Sequence, residues 1–133
     1  MVVVAGWMFL KNRGEVSVNT YIVSPSPVIS KNLVTYTDEG YSPNTITIKK
    51  GETVTWKNES SMAMWTASGV HPIHTAYPGT NIANCGTPVG LNQFDACIGV
   101  VPGQSWTFKF DLRGTWGYHN HSNQSHLGTI IVE

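Results

Sequence analysis

Charge is scarce in this chain. Acidic and basic residues together make up 12% of its 133 residues, and eight of each sign cancel to a formal net charge of zero. A typical soluble domain carries about twice that fraction of charged residues. The chain lacks the basic face that nucleic-acid binding requires, so that class of function is excluded. It also lacks a polybasic tail for a membrane surface. Long apolar runs are missing as well. The longest candidate, Val2 to Leu10, ends at Lys11 and Arg13. It is too short to span a bilayer, which takes roughly 20 residues as a helix. It reads either as the surviving end of a signal anchor, giving a membrane tether over residues 1–13, or as an extra β-prone strand. Residues 14–31, rich in Ser, Pro and Val, read as a linker, and 32–133 as the folded domain.

Cysteine is nearly absent. Cys85 and Cys97 stand alone, with no Cys-x-x-Cys pair. Their spacing points to a disulfide and hence to an extracytoplasmic, oxidising compartment. Two free thiols, or metal ligation by Cys97, are the alternatives. Helical periodicity is absent too, since no stretch keeps apolar residues at helical spacing for three turns.

What remains is a series of short β-prone runs cut by Gly and Pro. Leu33–Tyr36 is the first, and Gly40–Asn44 reads as a turn. Thr45–Lys49 and Thr53–Asn58 alternate polar and apolar residues, as half-buried strands do. Met62–Ala67, Ser105–Phe110, Gly114–His119 and Leu127–Val132 follow. Such a pattern predicts an antiparallel sandwich or barrel. Trp56, Trp106, Phe108 and Trp116 are the expected core aromatics, with Met62 and Met64 as packing residues. The stretch from Gly69 to Val100 has weak strand signals, and a loop of that length in a compact domain is commonly functional.

The five histidines fall in two clusters, His71 with His74 and His119 with His121 and His126. Imidazole is the commonest neutral metal ligand. Residues two apart on a strand share a face, so His119 and His121 project together. His71 and His74 flank Pro72, which stiffens the bend before any ion is bound. Four nitrogens from two elements suit a tetragonal copper or a tetrahedral zinc site. His71, His74, His119 and His121 are the expected ligands, His126 is a spare, and Asp95 is placed to orient a ligand imidazole.

The segments Gly40–Asn58, Val101–Phe108, Gly114–His119 and Gly128–Glu133 together resemble a plastocyanin- or azurin-type cupredoxin domain over Leu33–Glu133. That resemblance implies an all-β, cupredoxin-like antiparallel Greek-key β-sandwich, with copper as cofactor and a redox partner or a homo-oligomer as its company. It also shows departures. The family's first histidine ligand falls on Met64, its cysteine on Asn120, and its methionine near His126 or Leu127. The thiolate of a blue site is therefore missing from its place. Gly114–His121, with Gln124 and Leu127–Gly128, is similar to the Tyr-His-Ser-His segment of multicopper oxidases, where both histidines ligate copper. His71-Pro72-Ile73-His74 is similar to a His-Pro-x-His segment of the same enzymes. The resulting expectation is a mononuclear, type 2-like histidine copper site used for copper handling or slow electron transfer. The alternatives are a small copper oxidoreductase acting on nitrite, nitric oxide, superoxide or dioxygen, and a metal-free structural sandwich.

Overall fold

The computed structural model describes residues 31–133. The anchor remnant or extra strand expected at 1–13, and the linker except for Lys31, lie outside the described residues. Eight strands form among the described residues: β1 (Leu33–Thr37), β2 (Gly40–Ser42), β3 (Thr45–Ile48), β4 (Thr53–Asn58), β5 (Thr66–Ser68), β6 (Ser105–Lys109), β7 (Gly114–Asn120) and β8 (Asn123–Val132). They build two four-stranded sheets, in the orders β2-β1-β4-β6 and β3-β8-β7-β5. The all-β sandwich expected from the sequence is present.

Each sheet contains one parallel pairing, β1 with β4 and β3 with β8, among otherwise antiparallel neighbours. The chain order explains the first of these. After the β1–β2 hairpin the chain crosses to the second sheet as β3, then returns as β4 beside β1 and parallel to it. The region read as a turn at 40–44 is shorter than expected. Gly40, Tyr41 and Ser42 pair with β1, and the reversal sits at Asp38-Glu39. Gly40 takes a φ of +122°, which only glycine adopts without strain. The strand expected over Met62–Ala67 is reduced to β5, preceded by a single bridge between Met64 and Val100. The final strand begins at Asn123, earlier than Leu127.

Alternation sets the core. Val34, Tyr36, Val54, Trp56 and Ile130 are fully buried, and so is Met64. Trp106, Phe108 and Trp116 pack against that core while remaining partly exposed, and Met62 lies at the surface. The long segment between β5 and β6 holds two short 3-10 helices, Ile82–Asn84 and Pro88–Asn92. Two of its aromatic residues pin it to the sandwich. Phe94 is fully buried, with its ring 5.2 Å from that of Phe108 and 4.8 Å from that of Phe110. Tyr77 meets Phe108 at 5.4 Å and Trp116 at 4.9 Å. Burying two such rings fixes where the rest of this segment lies.

Candidate metal centre

The strand that carries the histidine pair is β7, and parity decides where each side chain goes. Asn120 faces the sandwich interior, where its amide donates to the Tyr36 hydroxyl of the opposite sheet at 2.7 Å. His119, one residue earlier, projects to the other face of the same sheet. A β-bulge falls between His119 and Asn120, and His121 N–H still bonds to the Trp65 carbonyl at 2.7 Å. His121 is thereby held on the side of His119.

A second row of contacts builds the rest. Register places Ala67 of β5 opposite His119, and Asp95 is bridged to Ala67 on the far side. Segment 94–96 thus acts as an added edge: Ser68 N–H bonds to Phe94 O at 2.8 Å and Ala96 N–H to Thr66 O at 2.9 Å. With Phe94 turned into the core, Asp95 turns outward toward the histidines. The bend at 69–76 closes over this row. It is tied down by Gly69 N–H to Gly117 O at 2.9 Å and His74 N–H to Val70 O at 2.7 Å. His74 sits at φ +64°, a left-handed conformation unusual for a non-glycine residue and typical of positions that serve a site.

All four expected ligands meet. One donor atom from each of His71, His74, His119 and His121 lies within 4.8 Å of every other. Two pairs touch directly, His74 Nε2 to His121 Nδ1 at 2.9 Å and His71 Nδ1 to His119 Nε2 at 3.3 Å. Four nitrogens at roughly 2.0–2.1 Å from one ion would stand about 2.8–4.2 Å apart, so the donor set fits a metal after small adjustments. His74 and His119 are buried, while His71 and His121 are partly exposed.

Charge is arranged to leave these rings ready to bind. Burial, reinforced by His74, His71 and His121 alongside, lowers His119 from its ordinary value near 6.5 to about 4. The same causes, burial first and then His74 and His71, lower His121. Asp95 completes the set. His74 Nδ1 lies 2.6 Å from Asp95 Oδ2, and Trp65 Nε1 donates to Asp95 Oδ1 at 2.7 Å. Burial pushes the Asp95 carboxyl up, but hydrogen bonds from His74, Trp65 and the Cys97 N–H outweigh it and hold the group below its usual value. An ionised Asp95 accepting from Nδ1–H leaves Nε2 of His74 as the free lone pair, the tautomer a metal needs.

The inner face of β7 is different. Met64 and Asn120, on which the resemblance places a cupredoxin's first histidine and cysteine, offer no such set. Every hydrogen-bonding position of the Asn120 amide is engaged. It donates to Tyr36 Oη and to Ala63 O at 3.0 Å, and accepts from Trp65 N–H and Ser122 N–H at 3.0 Å each. His126, the spare, is not with the other four. Its Nδ1 lies 2.7 Å from the Tyr36 hydroxyl and its Nε2 lies 3.4 Å from Asn123 Nδ2. Cys85 and Cys97 form a disulfide, and Cys97 is not among the four-histidine donors. Trp65, which orients Asp95, carried no signal in the sequence beyond being a tryptophan near a strand start.

No protein-family model matches the chain. A plastocyanin of Scenedesmus fuscus is 30% identical over 95 residues, covering 70% of this chain and 86% of that protein. A chloroplastic plastocyanin of Tetradesmus obliquus is 28% identical over 95 residues, and the match spans 58% of its length. Among solved structures, a purple cupredoxin from Nitrosopumilus maritimus superposes with a TM-score of 0.58 at 19% identity, over 77% of this chain and 99% of that one. A reduced Cu(I) form of an amicyanin mutant gives 0.55 at 19% identity, over 77% and 81%.

Proposed function

The chain belongs to the plastocyanin-like cupredoxin family, and from that premise we propose that it is a copper protein whose ion is held by His71, His74, His119 and His121. Copper is the cofactor. The observation that carries the reading is the convergence of four imidazoles, one of them oriented by a buried carboxylate, on the outer face of β7. Bound there, copper supplies a one-electron couple. An all-nitrogen site without thiolate suits copper handling or slow electron transfer better than the rapid exchange of a blue centre.

The residues have separable tasks. His119 is kept neutral by burial, so protons compete weakly for it at neutral pH. Asp95 fixes the tautomer of His74, and Trp65 fixes Asp95. His71 and His121, less buried, form the side through which an ion enters. The disulfide supports an extracytoplasmic location. A membrane tether at the N-terminus, a redox partner and a homo-oligomer remain part of the proposal.

Titration of the metal-free protein with Cu(II), followed by absorption and electron paramagnetic resonance, tests the site. One equivalent should bind, with nitrogen hyperfine structure and no intense thiolate band in the visible. Replacing both His119→Ala and His121→Ala should weaken binding by at least a hundredfold. Unchanged affinity in that variant defeats the reading.

One observation favours a second reading, a small copper oxidoreductase acting on nitrite, nitric oxide, superoxide or dioxygen. A groove of about 360 Å³ opens beside His71 and His119, with Val70 and Leu127 on its walls. Both side chains are more than 60% exposed. Turnover of one of those molecules above the rate of free copper, abolished by His71→Ala, would establish it.

A further inference from the structure

The Cys85–Cys97 disulfide stands next to the carboxylate that orients His74. Cys97 N–H donates to Asp95 Oδ1 at 2.8 Å, and Cys85 Sγ lies 3.6 Å from Asp95 Oδ2, the atom that holds His74. The buried Gln93 amide faces both sulfurs, 3.6 Å from Cys85 Sγ and 3.4 Å from Cys97 Sγ. Cys97 itself takes φ +58°, a conformation that a non-glycine residue keeps only where its surroundings impose it. The covalent bond therefore fixes the backbone of Cys97. The N–H of Cys97 pins Asp95, and Asp95 sets the ring of His74. The bond is also reachable. Cys97 lines a groove of about 410 Å³ with Pro88, Leu91 and Ala96.

We propose that this disulfide is a redox control on the copper site: reducing it releases Cys97 and Asp95 and loosens the hold of His74 on the ion. The inference rests on the four-histidine reading above. The reductant is a dithiol, either a small molecule or the cysteine pair of a partner protein. One of its thiolates attacks Cys97 Sγ from the groove. The sulfur–sulfur bond breaks, and Cys85 leaves as a thiolate and takes up a proton. The second thiol of the dithiol then displaces Cys97, which is protonated in turn. Two electrons and two protons pass to the cysteines, and the dithiol becomes a disulfide. Linkage makes the effect reciprocal: if reduction weakens metal binding tenfold, bound metal makes the disulfide harder to reduce by about 30 mV.

The test uses the whole chain and Cu(II) affinity by chelator competition, in four proteins. These are the unaltered protein, Cys85→Ser with Cys97→Ser, Asp95→Asn, and all three changes together. Serine avoids oxidation of free thiols by copper. The double cysteine variant should bind at least tenfold more weakly, as should Asp95→Asn, and the triple variant should be no weaker than Asp95→Asn alone. Full affinity in the double variant, or losses that simply add in the triple, overturns the proposal. If the double variant does not fold, the disulfide potential of the unaltered protein is measured with and without Zn²⁺, which is redox-inert. A fall of about 30 mV or more with zinc supports the linkage. No change, or a rise caused by zinc binding the freed thiolates, overturns it. Loss of copper binding in His119→Ala with His121→Ala, combined with indifference to the cysteines, sinks this inference alone. Copper binding indifferent to those histidines sinks the reading beneath it.

Discussion

At the scale of single residues, one step along β7 separates two environments. Asn120 points inward and has its whole amide engaged, while His119 points outward with its Nε2 3.3 Å from His71 Nδ1. Asn120 is thus a structural joint between the two sheets. Asn120→Ala leaves the Tyr36 hydroxyl with His126 as its one remaining partner and strands the Trp65 and Ser122 N–H groups. The expected loss is roughly 2–4 kcal/mol of unfolding free energy. Urea denaturation measures it. The Cu(II) resonance of the same variant should keep its nitrogen pattern, because the proposed site is on the other face. A spectrum that lost the pattern would place the ion inside the sandwich instead.

At the scale of elements, β8 shows how tightly the sheet carrying the histidines is built. Gly128 pairs with Tyr118 of β7, and a Cβ at 128 would run into the Tyr118 ring at Cζ. Tyr118 is buried and packs against Trp56 and Tyr41, so its ring has nowhere to retreat. Gly128→Ala should therefore destabilise the protein by roughly 1–3 kcal/mol through overpacking. A lower thermal midpoint checks this, and an unchanged one would mean that the ring can move. The strands and the two histidine pairs were legible in the sequence because each is local. Period-2 alternation marks Thr45–Ile48 and Thr53–Asn58, and a His-x-His on a strand puts two rings on one face by parity alone. The loop's anchors were not legible. Tyr77 and Phe94 sit in a stretch without periodicity, and their burial depends on contacts with β6 and β7 that lie far along the chain. Asp95 could be proposed as an orienting group only from its neighbourhood. Its actual place follows from an edge bridge to Ala67.

At the scale of the whole molecule, the site makes folding depend on pH. In the metal-free protein His119 titrates at about 4, whereas an unfolded chain would titrate it near 6.5. Between those values the unfolded state takes up a proton that the folded state refuses. Stability therefore rises with pH across this window. The contribution is full above about pH 6.5, falls as the medium is acidified, and loses nothing further from this group below about pH 4. His119 is almost wholly buried, so the shift counts nearly in full, at roughly 3 kcal/mol. His121, lowered by the same causes, adds in the same direction. Asp95 works at more acid pH: its lowered value gives stability above the ordinary carboxylate range that disappears as pH falls through the folded one. Urea midpoints of chelator-treated protein should be flat from pH 7 to 9 and should decline from 6.5 to 4. His119→Asn, which cannot titrate, should flatten most of that decline. A decline that persists in His119→Asn would trace the acid sensitivity to groups outside the four histidines, and the buried imidazole would no longer be its cause.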